Sequence, residues 1–159
     1  ISARELGAYT IIDSSGDLLR EAIKAHPDLI KMNAQEAGEL AGQEIDGKKQ
    51  AIGFAQTLLG QRVGAVVVSL GASGAVLVTP LGAWTLAVPE IEVRSAVGAG
   101  DCLVAGIAAA LSRKASLEEA FRLGGACGAA KTRRIESGML DASDVSQFQE
   151  MVQVTRWHE

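Results

Sequence analysis

The residues of this chain best suited to chemistry lie near its middle, in the segment Ser95–Asp101 (SAVGAGD), which leads into an alanine-rich helix predicted from Cys102 to Leu111. The first N–H groups of a helix lack intrahelical partners and carry partial positive charge, and glycines let a bound group approach the backbone. The segment is therefore suited to an anion such as a phosphate. Asp101 could then orient and deprotonate a hydroxyl that attacks a phosphoryl group. Asp is also a common helix cap, so these seven residues alone leave a purely structural role open.

An asparagine and a glutamate three residues apart at the start of another predicted helix, Asn33 and Glu36, form a second candidate. Their side chains could accept hydrogen bonds from each other's backbone as a capping box, without any ligand. Their amide and carboxylate oxygens are also hard ligands of the kind that Mg²⁺ prefers. Both interpretations stay open, and Lys31 adds a positive charge just upstream.

A third candidate is the small-residue turn Ser69–Gly74 (SLGASG), which follows the clearest strand pattern of the chain, residues 65–70. Ligands of open α/β sheets gather at the carboxyl ends of the strands, so this turn is well placed to contact a phosphate or a ribose. An ordinary hairpin turn would have the same composition.

The elements that must position these segments alternate along the chain, which predicts an α/β fold with a parallel sheet covered by helices on both faces. Consecutive strands after residue 74 predict antiparallel pairing at one edge of that sheet. We expect strands at 9–13, 29–32, 65–70, 75–79, 84–88 and 92–94, and helices at 17–25, 33–40, 49–59, 101–112, 116–131 and 144–151.

Composition narrows the function classes. The net charge is −4 and no basic stripe extends beyond short pairs such as Arg133-Arg134, which argues against nucleic acid or an acidic membrane as the partner. No apolar run approaches the ~20 residues of a membrane span, and we expect a cytoplasmic protein. Two cysteines, Cys102 and Cys127, fit reduced thiols. Cys102 could be a reactive thiol with a lowered pKa at the helix start, or a small packed side chain.

The three candidate segments occur together and in order, and this arrangement resembles the C-terminal half of the PfkB carbohydrate kinase family. The resemblance covers essentially the whole chain. Features at 13–16, 116–120, 137–140 and 152–154 look most like the branch that phosphorylates phosphorylated ketohexoses, namely 1-phosphofructokinases, minor 6-phosphofructokinases and tagatose-6-phosphate kinases. The resemblance implies a three-layer, ribokinase-like α/β sheet flanked by helices.

The resemblance also implies roles for individual residues. Asp101 would be the catalytic base, and Gly98, Ala99 and Gly100 would form the anion hole around the transferred phosphoryl group. Asn33 and Glu36 match a motif associated with Mg²⁺ and phosphates. Positions that match nucleotide contacts, or stretches that flank the adenine, are Lys31, Asn33, Ser69, Gly71, Gly74, Val97, Gly125 and Gly128.

The function implied by the resemblance is transfer of the γ-phosphoryl group of ATP, with Mg²⁺, to a hydroxyl of a phosphorylated ketohexose. Residues 1–159 would be a single nucleotide-binding portion without the N-terminal sugar-binding half and lid, so we expect the isolated chain to be inactive toward sugars. Its ligands would be ATP and a sugar phosphate, and a homodimer stays open. The alternatives are a non-catalytic nucleotide-binding or assembly module, and a kinase of an unphosphorylated sugar or a nucleoside.

Three departures from the family pattern stand out. Met32 occupies a position where proline is usual, and Ala96 one where threonine, serine or proline is preferred. Lys131 and Arg133-Arg134 occupy a region where some members bind a monovalent cation, which argues against potassium activation.

Overall fold

Six strands form one mixed sheet in which neighbouring strands follow the order of the chain, β1 to β6, in a computed structural model that describes residue 3 and residues 5–158. The predicted α/β class is confirmed, with helices flanking the sheet. The strands are β1 (Ile11–Asp13), β2 (Leu29–Asn33), β3 (Val66–Ser69), β4 (Ala75–Thr79), β5 (Gly82–Ala87) and β6 (Gln153–Arg156). The helices are α1 (Gly16–Lys24), α2 (Ala34–Ala41), α3 (Lys48–Leu59), α4 (Ala99–Ser112), α5 (Leu117–Thr132) and α6 (Ala142–Met151).

The first of two compact units comprises the described residues up to Leu70, residues 76–83 and His158. Its strands β1, β2 and β3 are parallel, with Asp13 opposite Lys31 and Asn33 opposite Ser69. The apolar side chains of β2 and β3 are buried, as expected for a parallel sheet covered on both faces, whereas the outer strand β1 is partly exposed. Because the strands are parallel and in this register, the polar residues that end them lie at one edge of the sheet.

The second unit comprises residues 71–75 and 84–157, and its centre is the packing of α4 against α5. The two helices approach closely because glycines face each other: a Cβ on Gly106 would lie 2.8 Å from the Cα of Gly124. In the same unit β5 pairs antiparallel with β6, and the Arg156 guanidinium lies 5.7 Å from the centre of the Trp84 ring. Small residues in α4 and α5 therefore set the spacing around which this unit is built.

The predicted and the observed strands differ in two places. Residues 92–94 are not a strand, since the N–H groups of Arg94 and Ser95 both donate to the Thr132 carbonyl at the end of α5. Strand β6 was not predicted, because its four residues include a single apolar one, Val154, and the strand is defined by its pairing with β5. The capping box considered for Asn33 and Glu36 is present, and Ser116 forms a second one with Glu119.

Both cysteines are buried in the helical packing, Cys102 in α4 and Cys127 in α5. Burial raises the pKa of both thiols. At Cys102 the Lys131 ammonium acts in the opposite direction and the Asp101 carboxylate adds to the rise, but burial has the largest effect on the pKa. The hypothesis of a reactive Cys102 thiol with a lowered pKa is therefore wrong, and the packed side chain is correct. Within the described residues, no helix has the length and apolar character needed to cross a bilayer.

The turn before β4 supplies a stability prediction. Gly71 and Gly74 both have positive φ, +58° and +87°, but only at Gly74 would a Cβ overlap the backbone carbonyl of Leu86. Gly71→Ala should reduce the free energy of unfolding by about 1–2 kcal/mol, the cost of left-handed backbone for an L-residue. Gly74→Ala should cost clearly more, because β5 must also move. Urea unfolding of the two variants measures the difference, and equal losses would contradict the steric explanation.

The buried thiols supply a second prediction. In the folded chain Cys102 and Cys127 should react with a disulfide reagent at pH 8 at least about tenfold more slowly than in urea, because access is blocked and the thiolate is disfavoured. The single variants Cys102→Ser and Cys127→Ser assign the rates to each thiol. Rapid labelling of the folded Cys127→Ser variant would show that Cys102 is accessible.

Candidate functional site

Helix α4 begins in a turn of small residues. Gly98 is the N-cap residue with φ +82°, and no side chain caps the helix. The Ala99 N–H donates to the Ala96 carbonyl at 3.1 Å, and the Cys102 N–H donates to the Gly98 carbonyl at 3.0 Å. The N–H groups of Gly100 and Asp101 are left without intrahelical acceptors. Of the three predicted anion-hole residues, Ala99 thus already uses its amide inside the turn.

Asp101 lies in the first turn of α4, three residues after the N-cap, and is exposed. Its carboxylate makes no hydrogen bond and no ion pair among the residues that the structure describes, so it does not cap the helix. The capping interpretation of this carboxylate is wrong. An acid of this kind, beside unused backbone donors at a helix start, is available to a bound group.

The segment before α4 is held by the end of α5. Lys131 of α5 donates from Nζ to the carbonyl of Ser95 at 3.1 Å, and the Thr132 carbonyl accepts from the backbone of residues 94 and 95. At Gly98 a Cβ would lie 2.7 Å from the Ser137 hydroxyl oxygen, which can rotate away, so the φ of +82° rather than space favours glycine here. Val97, a predicted nucleotide contact, is 69% exposed on this segment.

In the first unit, the predicted magnesium ligands form a complete capping box. Asn33 Oδ1 accepts from the Glu36 N–H at 2.9 Å, and Glu36 Oε2 accepts from the Asn33 N–H at 2.7 Å. Ser69 follows opposite Asn33 in the sheet, and its hydroxyl donates to the Met32 carbonyl at 3.5 Å. Each of these side chains thus has a structural partner, while the second oxygen of Glu36 has none among the described residues.

Lys31, predicted to contact the nucleotide, is buried and forms an ion pair across β1 and β2. Its Nζ lies 3.1 Å and 3.0 Å from the two carboxylate oxygens of Asp13. Asp13 was not predicted as a site residue, although its pairing with Lys31 follows once β1 and β2 are taken as parallel and in register. The ion pair compensates the charge of Lys31 inside the protein.

The four remaining predicted glycines differ in what surrounds them. Gly71 is exposed at the start of a short 3₁₀ turn, with open space where a side chain would project. Gly74 and Gly125 are buried, and a Cβ on either would overlap Leu86. Gly128 is half-buried beside α4, where a Cβ would lie 3.2 Å from the Ala99 carbonyl oxygen. Packing alone explains Gly74 and Gly125.

The structure thus brings the predicted residues together in two sets, one in each unit. The first set lies at the carboxyl ends of β2 and β3 and consists of Lys31, Asn33, Glu36 and Ser69. The second consists of Gly98, Ala99, Gly100 and Asp101 in one turn, with Gly128 against Ala99. Among the described residues no three His, Cys, Asp or Glu side chains group as ligands for a metal ion.

Comparison with known proteins gives consistent matches. The model of the pfkB family carbohydrate kinases matches residues 2–141. The 1-phosphofructokinase of Bacillus subtilis (strain 168) is 36% identical over 155 residues, which are 98% of this chain and 50% of that protein. The crystal structure of phosphofructokinase-2 from Escherichia coli in complex with potassium superposes with a TM-score of 0.87 and 31% identity, over 93% of this chain and 48% of that one. Ribokinase from Thermotoga maritima superposes with a TM-score of 0.79 and 22% identity, over 93% of this chain and 51% of the ribokinase chain. It shares the fold.

The extent of these matches defines the relationship. The chain spans about half the length of the curated relatives that it matches. The matched part is the C-terminal half of the family fold, as the sequence motifs predict. The family match covers far more than half of this chain. The chain therefore belongs to the PfkB family of carbohydrate kinases.

Proposed function

We propose that this chain is the nucleotide-binding portion of a kinase that transfers the γ-phosphoryl group of ATP to a hydroxyl of a phosphorylated ketohexose. The observation that carries the proposal is the free, exposed carboxylate of Asp101 in the first turn of α4, next to the unused N–H of Gly100. The names of the relatives, among them the 1-phosphofructokinase of Bacillus subtilis, favour the phosphofructokinase branch, which includes 6-phosphofructokinases and tagatose-6-phosphate kinases.

The chemistry needs little from the protein beyond position and charge. Phosphoryl transfer passes through a loose transition state, so the base that accepts the proton of the attacking hydroxyl can be a weak one such as a carboxylate. Asp101 would accept that proton. The backbone N–H groups of Gly98 and Gly100 would donate to the transferred group, where negative charge is spread over three oxygens. The amide of Ala99 contributes less, since it is already bonded to Ala96.

The residues proposed to contact the nucleotide are those that match nucleotide-binding positions of the family. We assign the phosphates and ribose to Lys31, Asn33, Ser69, Gly71 and Gly74, and the adenine to the stretches around Val97, Gly125 and Gly128, on the family resemblance. Of these residues, Lys31 is paired with Asp13, and Gly74 and Gly125 are buried.

Magnesium fits the hard oxygen donors at the start of α2, with Glu36 supplying the carboxylate oxygen that the capping box leaves unused. Asn33 would act through its cap, which fixes the Glu36 side chain. When bound with the nucleotide, Mg²⁺ would neutralise phosphate charge. No dense cluster of protein ligands is needed, because Mg²⁺ keeps several waters and takes oxygens from substrate phosphates.

The assembly and location of the protein are further proposals. We propose a cytoplasmic enzyme, and a homodimer stays open as its assembly. A solved structure of phosphofructokinase-2 from Escherichia coli is described as a tetrameric inhibited form, so a higher assembly is the outcome to test against the dimer.

Substitution of the acid tests the catalytic role directly. In a protein that carries this chain within a complete kinase fold, Asp101→Asn should lower the turnover number about 10²- to 10⁴-fold, the usual contribution of a general base. Binding of ATP should change less than about twofold, because the amide keeps the shape of the carboxylate and removes only the base. Glu118→Gln, an exposed acid in the first turn of α5, is the matched control and should leave both quantities unchanged.

The outcomes separate the functions. Unchanged turnover in Asp101→Asn would refute the catalytic assignment. Absence of turnover in the unsubstituted protein together with ATP binding would favour a non-catalytic nucleotide-binding module. Turnover only with unphosphorylated sugars or nucleosides would move the protein to another branch of the family.

The 159-residue chain alone gives a second test. It should bind Mg-ATP weakly, as measured by titration calorimetry, and should not phosphorylate fructose 1-phosphate or fructose 6-phosphate. The reason is that it corresponds to only half of the relatives' length and supplies donor chemistry without the sugar-binding half. Measurable turnover by this chain with either sugar phosphate would overturn this expectation.

A further inference from the structure

A lysine ammonium is completely buried beside the start of α4. Lys131, in the last turn of α5, has 0% of its surface exposed. Its Nζ donates to two backbone carbonyls, those of Ser95 and Arg134, each at 3.1 Å. Lysines are almost never fully buried unless they are paired, so this position requires a specific explanation.

The buried charge has no counter-charge of its own. Among the described residues no carboxylate forms an ion pair with Lys131, whereas the other buried lysine, Lys31, is paired with Asp13. Carbonyl dipoles satisfy two of the three N–H donors of the ammonium but do not neutralise it. A charge taken out of water in this way is costly, and it would be offset by an anion bound nearby.

The charge lies directly behind the small-residue turn. Its acceptor Ser95 is three residues before Gly98, and the Cε atom of Lys131 lies 3.6 Å from the point where a Gly98 Cβ would project. The positive charge also lowers the pKa of the Cys102 thiol in the first turn of α4, in opposition to the larger effect of burial. The ammonium thus acts on the same helix start that carries Asp101.

We infer that Lys131 is a positioning residue for phosphoryl transfer: it serves as a built-in monovalent cation that fixes the segment 95–98 through the Ser95 carbonyl and adds positive charge behind the anion-binding amides. This inference rests on the proposed function, because it assigns Lys131 to the same anion site. The inference explains why Lys131 has no carboxylate partner among the described residues. It also explains why a charged side chain, rather than an apolar one, lies in the helical core.

Removal of the charge tests the inference on the 159-residue chain. Lys131→Met keeps the length and apolar stem of the side chain and removes the ammonium. Binding of Mg-ATP should weaken about tenfold, the effect expected from losing a charged partner, while binding of adenosine should change less than about twofold. Lys49→Met, an exposed lysine at the start of α3, is the control and should leave both affinities unchanged.

Rescue distinguishes a cation site from packing. Lys131→Ala opens space beside the carbonyls of Ser95 and Arg134, so ammonium or methylammonium chloride should restore Mg-ATP binding at least about fivefold, while tetramethylammonium chloride, which cannot donate hydrogen bonds, should not. Equal losses of ATP and adenosine binding, or no rescue by ammonium, would show a merely structural lysine and overturn the inference. Mg-ATP binding by Lys131→Met equal to that of the unsubstituted chain would also overturn it.

A loop measurement keeps the inference testable if the proposed function fails. If the unsubstituted chain does not bind Mg-ATP, the proposed function is refuted. Amide hydrogen exchange at Gly98 and Gly100 then tests whether Lys131 positions the segment 95–98. Exchange at least about fivefold faster in Lys131→Ala than in the unsubstituted chain, and reversed by ammonium, supports a cation that fixes the segment. Unchanged exchange overturns it. If Lys131→Met does not fold, Lys131→Ala refolded in ammonium chloride provides the same comparison.

Discussion

The close packing of α4 on α5 is the constraint on which the candidate site depends. Gly106 and Gly124 bring the helix axes together, and Gly128 lies against the backbone of Ala99 at the start of α4. Because the two helices are locked at this spacing, the end of α5 lies where it can bind the segment before α4 through the Thr132 carbonyl and the Lys131 ammonium. A larger residue at these glycines would separate the helices and release that segment. The start of α4 is thus positioned by close helix packing, to which Gly106 and Gly124 contribute through their small size alone.

Three helix starts in the chain show how a structural acid differs from an available one. In α2 and α5 the acid three residues after the cap, Glu36 or Glu119, accepts from the backbone of the cap residue. The hydrogen bonds from Ser116 hold the pKa of Glu119 below its usual value. In α4 the cap is Gly98, which has no side chain to complete such a box, and Asp101 stays unbonded. Because Gly98 has no side chain, no capping box forms, and the Asp101 carboxylate has no hydrogen-bond partner among the described residues. The backbone at the cap is also accessible to a bound group.

Elements that are specified by neighbouring residues could be predicted from the sequence. Examples are the capping box at Asn33 and the β-branched strand β3. The candidate turn at Ser95–Asp101 was equally clear, because glycines before an apolar helix indicate it without knowledge of the rest of the fold. Interactions between distant segments could not be predicted this way. Residues 92–94 were predicted as a strand, but the N–H groups of residues 94 and 95 donate to the Thr132 carbonyl instead. Strand β6, which pairs with β5, was not predicted.

The departures from the family pattern are explained by which atoms the structure uses. At Ala96 the relevant group is the backbone carbonyl, which accepts from Ala99 and would be supplied by any residue. Met32 is fully buried in β2, where its side chain fills the core and its carbonyl accepts from Ser69. The side chain at position 96 can therefore change at little cost to the turn, and at position 32 an apolar side chain that fills the core is needed. Lys131 is different, because its two hydrogen bonds come from the side chain itself and no backbone group could replace them. Under the proposed function, the site would thus depend on backbone geometry at most positions and on side-chain identity at few, of which Asp101 and Lys131 are the clearest.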